Sequence, residues 1–344
     1  MRAENHFYQE AAMQTPAWNP QSLLAVSGSY WMTCTLHAGV KLDVFSSLAK
    51  GAKTAKDLAA ALAVSPDGLE RLLNALAAMG LVEKTGDAFA NTLAARQYLV
   101  KDAPEYAGHM IVHHQNLVEG WSRLDEAVKT GGPVRPRSSH ETGAALESFL
   151  MGMFNTAMLL APGLARGVDL AGRKSLLDLG GGPGTYAIHF CLQNPELTAR
   201  VFDLPPSERF FQKTAARFGV TDRVEFLAGD FLKDSLGGPY DVAWLSQILH
   251  GEARQDCALI VKKAVSALAP GGLVLIHEFL LDDTAASPIF ATLFSLNMLQ
   301  GTPGGRAYTR AELFSMLADA GAKNMRLLDF SGGPSESRII AADV

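Results

Sequence analysis

The chain has 344 residues, 48% hydrophobic and 19% charged, with a formal net charge of −5 and three cysteines. This length accommodates two domains and a sizeable core, and the acidic balance argues against a broad nucleic-acid or anionic-membrane surface. Cys34, Cys191 and Cys257 are odd in number, scattered and without metal-ligand spacing, which excludes a disulfide framework and predicts buried thiols in a reducing compartment.

Met1 to Pro20 is polar and proline-punctuated with no signal-peptide core, and no run of about eighteen apolar residues occurs, so the expected location is the cytoplasm. The first hundred residues carry helical periodicity, as in Asp57–Leu62 and Leu69–Leu76. Ser65-Pro66-Asp67 starts the second of these helices with a cap and an early proline, and Gly80 closes it. Leu81–Lys84 and Ala88–Ala90 then flank Thr85-Gly86-Asp87 as a hairpin. Helix, turn, helix and hairpin make a winged-helix-like domain over residues 20–100. Reading DNA would need cations on its second helix, where one Arg stands against Asp67 and Glu70, so no nucleic-acid partner is expected.

Pro104 to Asp169 is helical and rich in methionine and histidine, broken at Thr130-Gly131-Gly132-Pro133 and at Pro136. It is read as a connector, residues 101–170, whose helices roof the acceptor site. His109, His113 and His114 could place two ring nitrogens on one helix face, but no third ligand follows at suitable spacing, so no metal is assigned.

From Lys174 strands alternate with helices: Ser175–Leu179, Ala199–Phe202, Val224–Leu227, Asp241–Leu245 and Leu273–Glu278, then a pair near Asn324–Asp329 and Arg338–Asp343. The pattern predicts a doubly wound, Rossmann-like α/β sheet of seven strands, the last pair antiparallel, over residues 171–344. The first strand runs through Asp178 into Gly180, Gly181, Gly182 and Gly184, a loop that admits a nucleotide cofactor where any Cβ would exclude it. A dinucleotide fingerprint would want glycine at position 185, which is Thr185, and Pro183 removes a backbone donor. Asp203, at the tip of the next strand, is placed to accept from two ribose hydroxyls, a feature of dinucleotide and adenosylmethionine sites alike. Asp230 and Phe231 after the third strand offer a carboxylate for an adenine amine and a face for its ring. Beyond the fourth strand stands His250, of the residue type whose titration near neutrality suits a general base for a weakly acidic hydroxyl. Glu278, closing the fifth strand at the same edge, is placed to hold the far ring nitrogen.

Together these motifs resemble the class I S-adenosylmethionine-dependent O-methyltransferases of the plant caffeic-acid type and their bacterial natural-product relatives. The similarity runs from Gly39–Phe45 through the glycine loop, Phe202-Asp203-Leu204-Pro205, Gly229-Asp230 and the loop histidine to Gly304–Thr309. The resemblance implies a homodimer formed by the N-terminal domain, S-adenosyl-L-methionine as cofactor and a small aromatic, phenolic or polyketide-like acceptor. It also implies that Phe154 and Met158 of Phe154-Asn155-Thr156-Ala157-Met158, with Met298 and Thr302 before Pro303-Gly304-Gly305, line that acceptor. Four positions depart from the family. Gly251-Glu252 replaces the usual Asp-Trp, Ala307 replaces a second carboxylate supporting the histidine, and Ser246 replaces a lysine near the cofactor's carboxylate. C- or N-methylation, a non-methylating reaction, a ligand-sensing DNA-binding regulator and a nicotinamide dehydrogenase stand as alternatives.

Overall fold

The computed structural model describes residues 18–329 and 337–344, so most of the Met1–Pro20 stretch lies outside the described residues. The chain divides into two compact units, one running to Val118 and including Glu147–Asn155, the other formed by Glu119–Leu146 and Thr156–Val344. Residues 101–170 are thus shared between both units. No single helix among the described residues is long and apolar enough to cross a membrane.

In the N-terminal unit, Ser65 accepts a hydrogen bond from the Gly68 amide at 3.3 Å and Pro66 occupies the first turn of helix Pro66–Ala78. Leu69, Leu73 and Leu76 recur at helical spacing and are buried with Phe45, Leu58 and Phe89. The helix is followed by the expected hairpin, β2 (Val82–Thr85) and β3 (Ala88–Asn91), turning at Gly86 with φ +59°. A two-residue strand, β1 (Lys53–Thr54), adds antiparallel to β3. It was not legible because two residues carry no periodicity. The helices Pro20–Gly28 and Tyr30–Lys41 leave Leu24 73%, Tyr30 60% and Trp31 68% exposed. Cys34 lies on the second of these and is exposed, which corrects the expectation of three buried thiols: that helix buries only His37, Gly39 and Val40. Cys191 and Cys257 are buried, and burial pushes each thiol up to about 12.

In the C-terminal unit, seven strands form one sheet: β4 (Ser175–Leu179), β5 (Thr198–Asp203), β6 (Val224–Ala228), β7 (Tyr240–Ser246), β8 (Leu268–Glu278), β9 (Lys323–Leu328) and β10 (Arg338–Asp343), in the order β6-β5-β4-β7-β8-β10-β9. Strands β4 to β8 pair in parallel, while β10 runs antiparallel to both β8 and β9. Leu176, Leu177, Leu179, Val242–Leu245, Val274–Ile276 and Ile339–Ala342 are buried, the near-continuous apolar runs of a sheet covered on both faces. The sequence predicted the pair β9 and β10; the insertion of β10 between β8 and β9 is a tertiary result. Strand order reverses between β4 and β7, so the loops that follow these two strands open a crevice at the carboxyl edge of the sheet.

Candidate active site

β4 runs in register with β7, pairing Leu179 with Leu245, and β7 with β8, pairing Ser246 with His277. This register brings the glycine loop, the His250 loop and Glu278 to one edge. In the loop Gly180, Gly182 and Gly184 adopt left-handed backbone with φ of +69°, +54° and +76°. A Cβ on Gly180 would stand 2.6 Å from Ile248 Cγ2, one on Gly181 2.6 Å from the Asp178 carboxylate, and one on Gly184 2.8 Å from the Phe211 ring. The glycine loop and the His250 loop therefore touch through a contact that only glycine permits. Gly184→Ala is expected to cost about 1–3 kcal/mol from strained backbone and to weaken adenosylhomocysteine binding, read by thermal unfolding and titration. An unchanged midpoint would show that Phe211 yields freely.

Asp178 is buried, accepts from the Ala187 amide at 3.3 Å, and has its carboxyl raised to about 7 by that burial. Asp203 Oδ2 accepts from the Gly182 amide at 2.7 Å, while Oδ1 accepts from the Leu204 amide at 2.6 Å and the Ser207 hydroxyl at 3.1 Å. Burial raises this carboxyl as well. Its first task in the fold is to tie the β5 tip to the glycine loop, and these three bonds occupy most of a carboxylate's roughly four acceptor sites. Asp230 accepts from the Leu232 amide at 2.9 Å and pairs with Lys233 at 2.8 Å, and the hydrogen bond from Lys233 holds it below the ordinary carboxylate range. Phe231 packs partly buried on the sheet core, and a Cβ on the neighbouring Gly229 would stand 2.4 Å from the Phe202 ring. The Ser246 hydroxyl is hydrogen-bonded to His277 Nδ1 at 2.9 Å. His277 Nε2 meets the Ser337 hydroxyl at 2.8 Å, and burial lowers this imidazole to about 4, so it is neutral near pH 7.

Gln247, with φ +54°, turns the chain out of β7 into the short 3₁₀ turn Leu249–Gly251. His250 Nδ1 lies 2.8 Å from Glu278 Oε2, and Glu278 Oε1 accepts from the backbone amides of Leu249 at 3.0 Å and His250 at 3.4 Å. The carboxylate thus holds the ring and the backbone that carries it. The Glu278 side chain is 4% exposed and that of His250 13%. With Nδ1 engaged, Nε2 is the nitrogen left to meet a ligand.

Sequence reasoning missed the aromatic wall around this histidine. The Phe294 edge meets the His250 ring at 4.6 Å between centroids, and Phe279 and Phe290 pack on Phe294 at 4.9 and 6.0 Å. Ala307 lies buried in the same cluster with Phe279, Leu281 and Ala291. Where the related pattern has a second carboxylate, this chain has apolar packing. Phe290 and Phe294 sit four residues apart on helix Ile289–Gly301, a spacing that could have signalled one shared face. Also missed was Arg137, which pairs with the buried Glu252; a Cβ on Gly251 would stand 3.1 Å from its Nη2. A guanidinium thus fills the space released by the small residue after His250.

Met298 is buried in the same helix, and Thr302 donates to its carbonyl at 2.8 Å. A Cβ on Gly305 would stand 2.2 Å from Thr302 Oγ1 and 2.6 Å from the His250 carbonyl, so Thr302 and the base loop are separated by one glycine. Met158 Sδ lies 3.3 Å from His189 Nε2, on the helix Thr185–Gln193 that starts from the glycine loop. Phe154 belongs to the N-terminal unit, where it is buried. His109 packs against Tyr106 and His113 against Phe149, and no group of three His, Cys, Asp or Glu side chains among the described residues is placed to hold a metal.

Residues 135–323 match the O-methyltransferase domain family and residues 24–101 the O-methyltransferase dimerisation domain. The chain is 37% identical to 3-hydroxy-5-methyl-1-naphthoate 3-O-methyltransferase of Streptomyces sahachiroi, over 94% of either chain. It is 33% identical to the tetracenomycin polyketide synthesis 8-O-methyl transferase TcmO of Streptomyces glaucescens, over 91% of this chain and 94% of that one. Among solved structures it shares its fold with PigF with SAH, at a TM-score of 0.87 and 24% identity, covering 95% of this chain and 100% of that one.

Proposed function

The chain belongs to the O-methyltransferase family, an S-adenosylmethionine-dependent enzyme with a dimerisation domain, and on that premise we propose that it methylates a hydroxyl of a fused-ring aromatic acceptor with His250 as general base. The observation that carries the base assignment is the Glu278–His250 pair, in which the carboxylate occupies Nδ1 and leaves Nε2 for the acceptor.

When bound, the cofactor supplies an electrophilic methyl on a sulfonium. The left-handed turn at Gly180, Gly182 and Gly184 leaves a loop without side chains at the carboxyl edge of the sheet, which fits such a ligand, with Asp178, Gly180, Gly182 and Gly184 holding its amino-acid end. Asp203 takes the ribose, Asp230 and Phe231 the adenine, and Ser246 donates to the carboxylate. His250 Nε2 accepts the acceptor's hydroxyl proton as the oxygen becomes nucleophilic, and Glu278 stabilises the imidazolium that results. Phe279, Phe290 and Phe294 keep water from this base and offer ring faces to a flat acceptor, while Met158, Met298 and Thr302 line the remainder. The fused-ring class is supported by the naphthoate and tetracenomycin activities of the two relatives.

Residues 20–100 are read as a winged-helix-like dimerisation domain, 101–170 as the connector and 171–344 as the catalytic domain, in a cytoplasmic protein with no nucleic-acid or membrane partner. The exposed Leu24, Tyr30 and Trp31 support a second copy of the chain as what covers that face.

Adenosylhomocysteine at about a hundredfold above its Kd should stabilise the fold by about 2.7 kcal/mol and raise the melting midpoint by several degrees, while NAD leaves it unmoved. With 3-hydroxy-1-naphthoic acid as acceptor, mass spectrometry should find the methyl ether. Stabilisation by NAD alone, or a product methylated on carbon, would overturn the reading.

A further inference from the structure

The segment Val134–Ser139 is pinned between the end of helix Ile289–Gly301 and the His250 loop. The amides of Val134 and Arg135 both donate to the Gln300 carbonyl, at 2.9 and 3.2 Å, and Arg137 pairs with Glu252 beside Gly251. Two guanidinium groups are thereby fixed against the base loop and its helix, and they differ in kind. Arg137 has its counter-ion in Glu252. Arg135 Nη1 donates to the Pro136 carbonyl at 3.1 Å and the Ser138 hydroxyl at 3.2 Å, and Nη2 reaches the carbonyl and side-chain oxygens of Asn297, each at 3.4 Å. All of these partners are neutral, and no carboxylate among the described residues lies within ion-pair distance.

Burial depresses the basicity of this guanidinium, with Glu141 acting in the opposite sense from beyond contact. Its Nε is buried without a hydrogen-bond partner, as is Gln300 Oε1 nearby. Even were these two atoms to pair, the charge would still contact neutral groups alone, and a partly buried charge with no counter-ion in contact is costly. The room for the group is made by Gly301, where a Cβ would stand 2.4 Å from the guanidinium carbon.

Phe290, Phe294, Asn297 and Gly301 follow at helical spacing on one face of the helix. Phe294 touches the His250 ring, while Asn297 and Gly301 adjoin Arg135, so base and cation are presented along the same side of one helix.

We propose that Arg135 is a specificity-determining residue that binds an anionic group on the acceptor, a ring carboxylate, while His250 engages the hydroxyl. The proposal rests on the acceptor reading above. Arg137, neutralised by Glu252, holds the segment in place, and the acceptor carboxylate supplies the missing counter-ion through charge-assisted hydrogen bonds from Arg135.

The test compares 3-hydroxy-1-naphthoic acid with its primary amide, which keeps the shape and removes the charge. The wild-type enzyme should prefer the acid in kcat/KM by about thirtyfold, the scale of a hydrogen bond to a charged group, with the difference mostly in KM. In Arg135→Met the acid-to-amide ratio should collapse towards one, and Arg135→Lys should restore part of it. A wild-type enzyme indifferent to the charge, or an Arg135→Met variant that loses equally on both acceptors while still binding adenosylhomocysteine, overturns the proposal. Turnover of neither acceptor with adenosylhomocysteine still bound would overturn the acceptor reading and this inference with it.

Discussion

His250→Ala is expected to lower kcat by a factor on the order of 10³ while leaving the affinity for adenosylhomocysteine within about twofold of the wild type. The two readouts separate because the imidazole belongs to the loop after β7, whereas the cradle is built by the backbone after β4. Where the two loops adjoin at Gly180, the facing side chain is that of Ile248. A largely covered imidazole replaced by alanine also leaves the Phe279, Phe290 and Phe294 cluster short of one neighbour, so a modest drop in melting midpoint should accompany the loss. The decisive measurement is the pH profile. A phenolic acceptor ionises by itself near pH 10, so the activity of the variant should climb with pH towards that of the wild type as the base becomes unnecessary. A variant that keeps full turnover at neutral pH would remove His250 from the mechanism, and one that loses cofactor affinity as well would make it a structural residue.

Replacing Glu278 separates two things one carboxylate does. Oε2 fixes the His250 ring and stabilises its protonated form, while Oε1 accepts the Leu249 and His250 amides and so shapes the turn. Glu278→Gln keeps one oxygen for the amides and loses the charge, and should lower kcat by about 10²-fold with little change in melting midpoint. Glu278→Ala leaves the buried Leu249 amide with no acceptor and should add a stability loss of about 1–3 kcal/mol to the same kinetic defect. With Ala307 standing in an apolar cluster, no second carboxylate of that motif shares the load. Introducing one by Ala307→Glu would bury a carboxylate among Phe279, Leu281 and Ala291 and should destabilise the fold. Near-normal kcat in Glu278→Gln would show that the base needs no anionic partner.

The strands of the catalytic sheet were legible because a parallel sheet covered on both faces demands unbroken apolar runs, and Leu176–Leu179, Val242–Leu245 and Val274–Ile276 supply them between polar turns. β8 starts at Leu268, earlier than the expected Leu273, because Ala269-Pro270-Gly271-Gly272 reads as a turn and becomes strand only through pairing at its ends. The glycine loop, His250 and Glu278 were legible because each ends a predicted strand, and the parallel sheet brings such ends to one edge. The surroundings of His250 were not. Phe279, Phe290, Phe294, Arg135 and Arg137 come from three separate segments, and nothing local to Arg135-Pro136-Arg137 distinguishes a cation with a counter-ion from one without.

By itself, then, the amino-acid sequence determined the elements, the sheet class, the glycine loop and the placing of His250 and Glu278 at one sheet edge, since these follow from periodicity, glycine geometry and position at strand ends. Tertiary structure alone decided the placement of β10 inside the sheet, the occupation of Asp203 by the Gly182 amide, the aromatic wall on His250 and the pairing of Arg137 but not Arg135. The physical reason is range. Backbone preference and hydrophobic period act over a few residues and can be read locally, whereas these partners lie far apart along the chain, from 21 residues for Gly182 and Asp203 to 115 for Arg137 and Glu252.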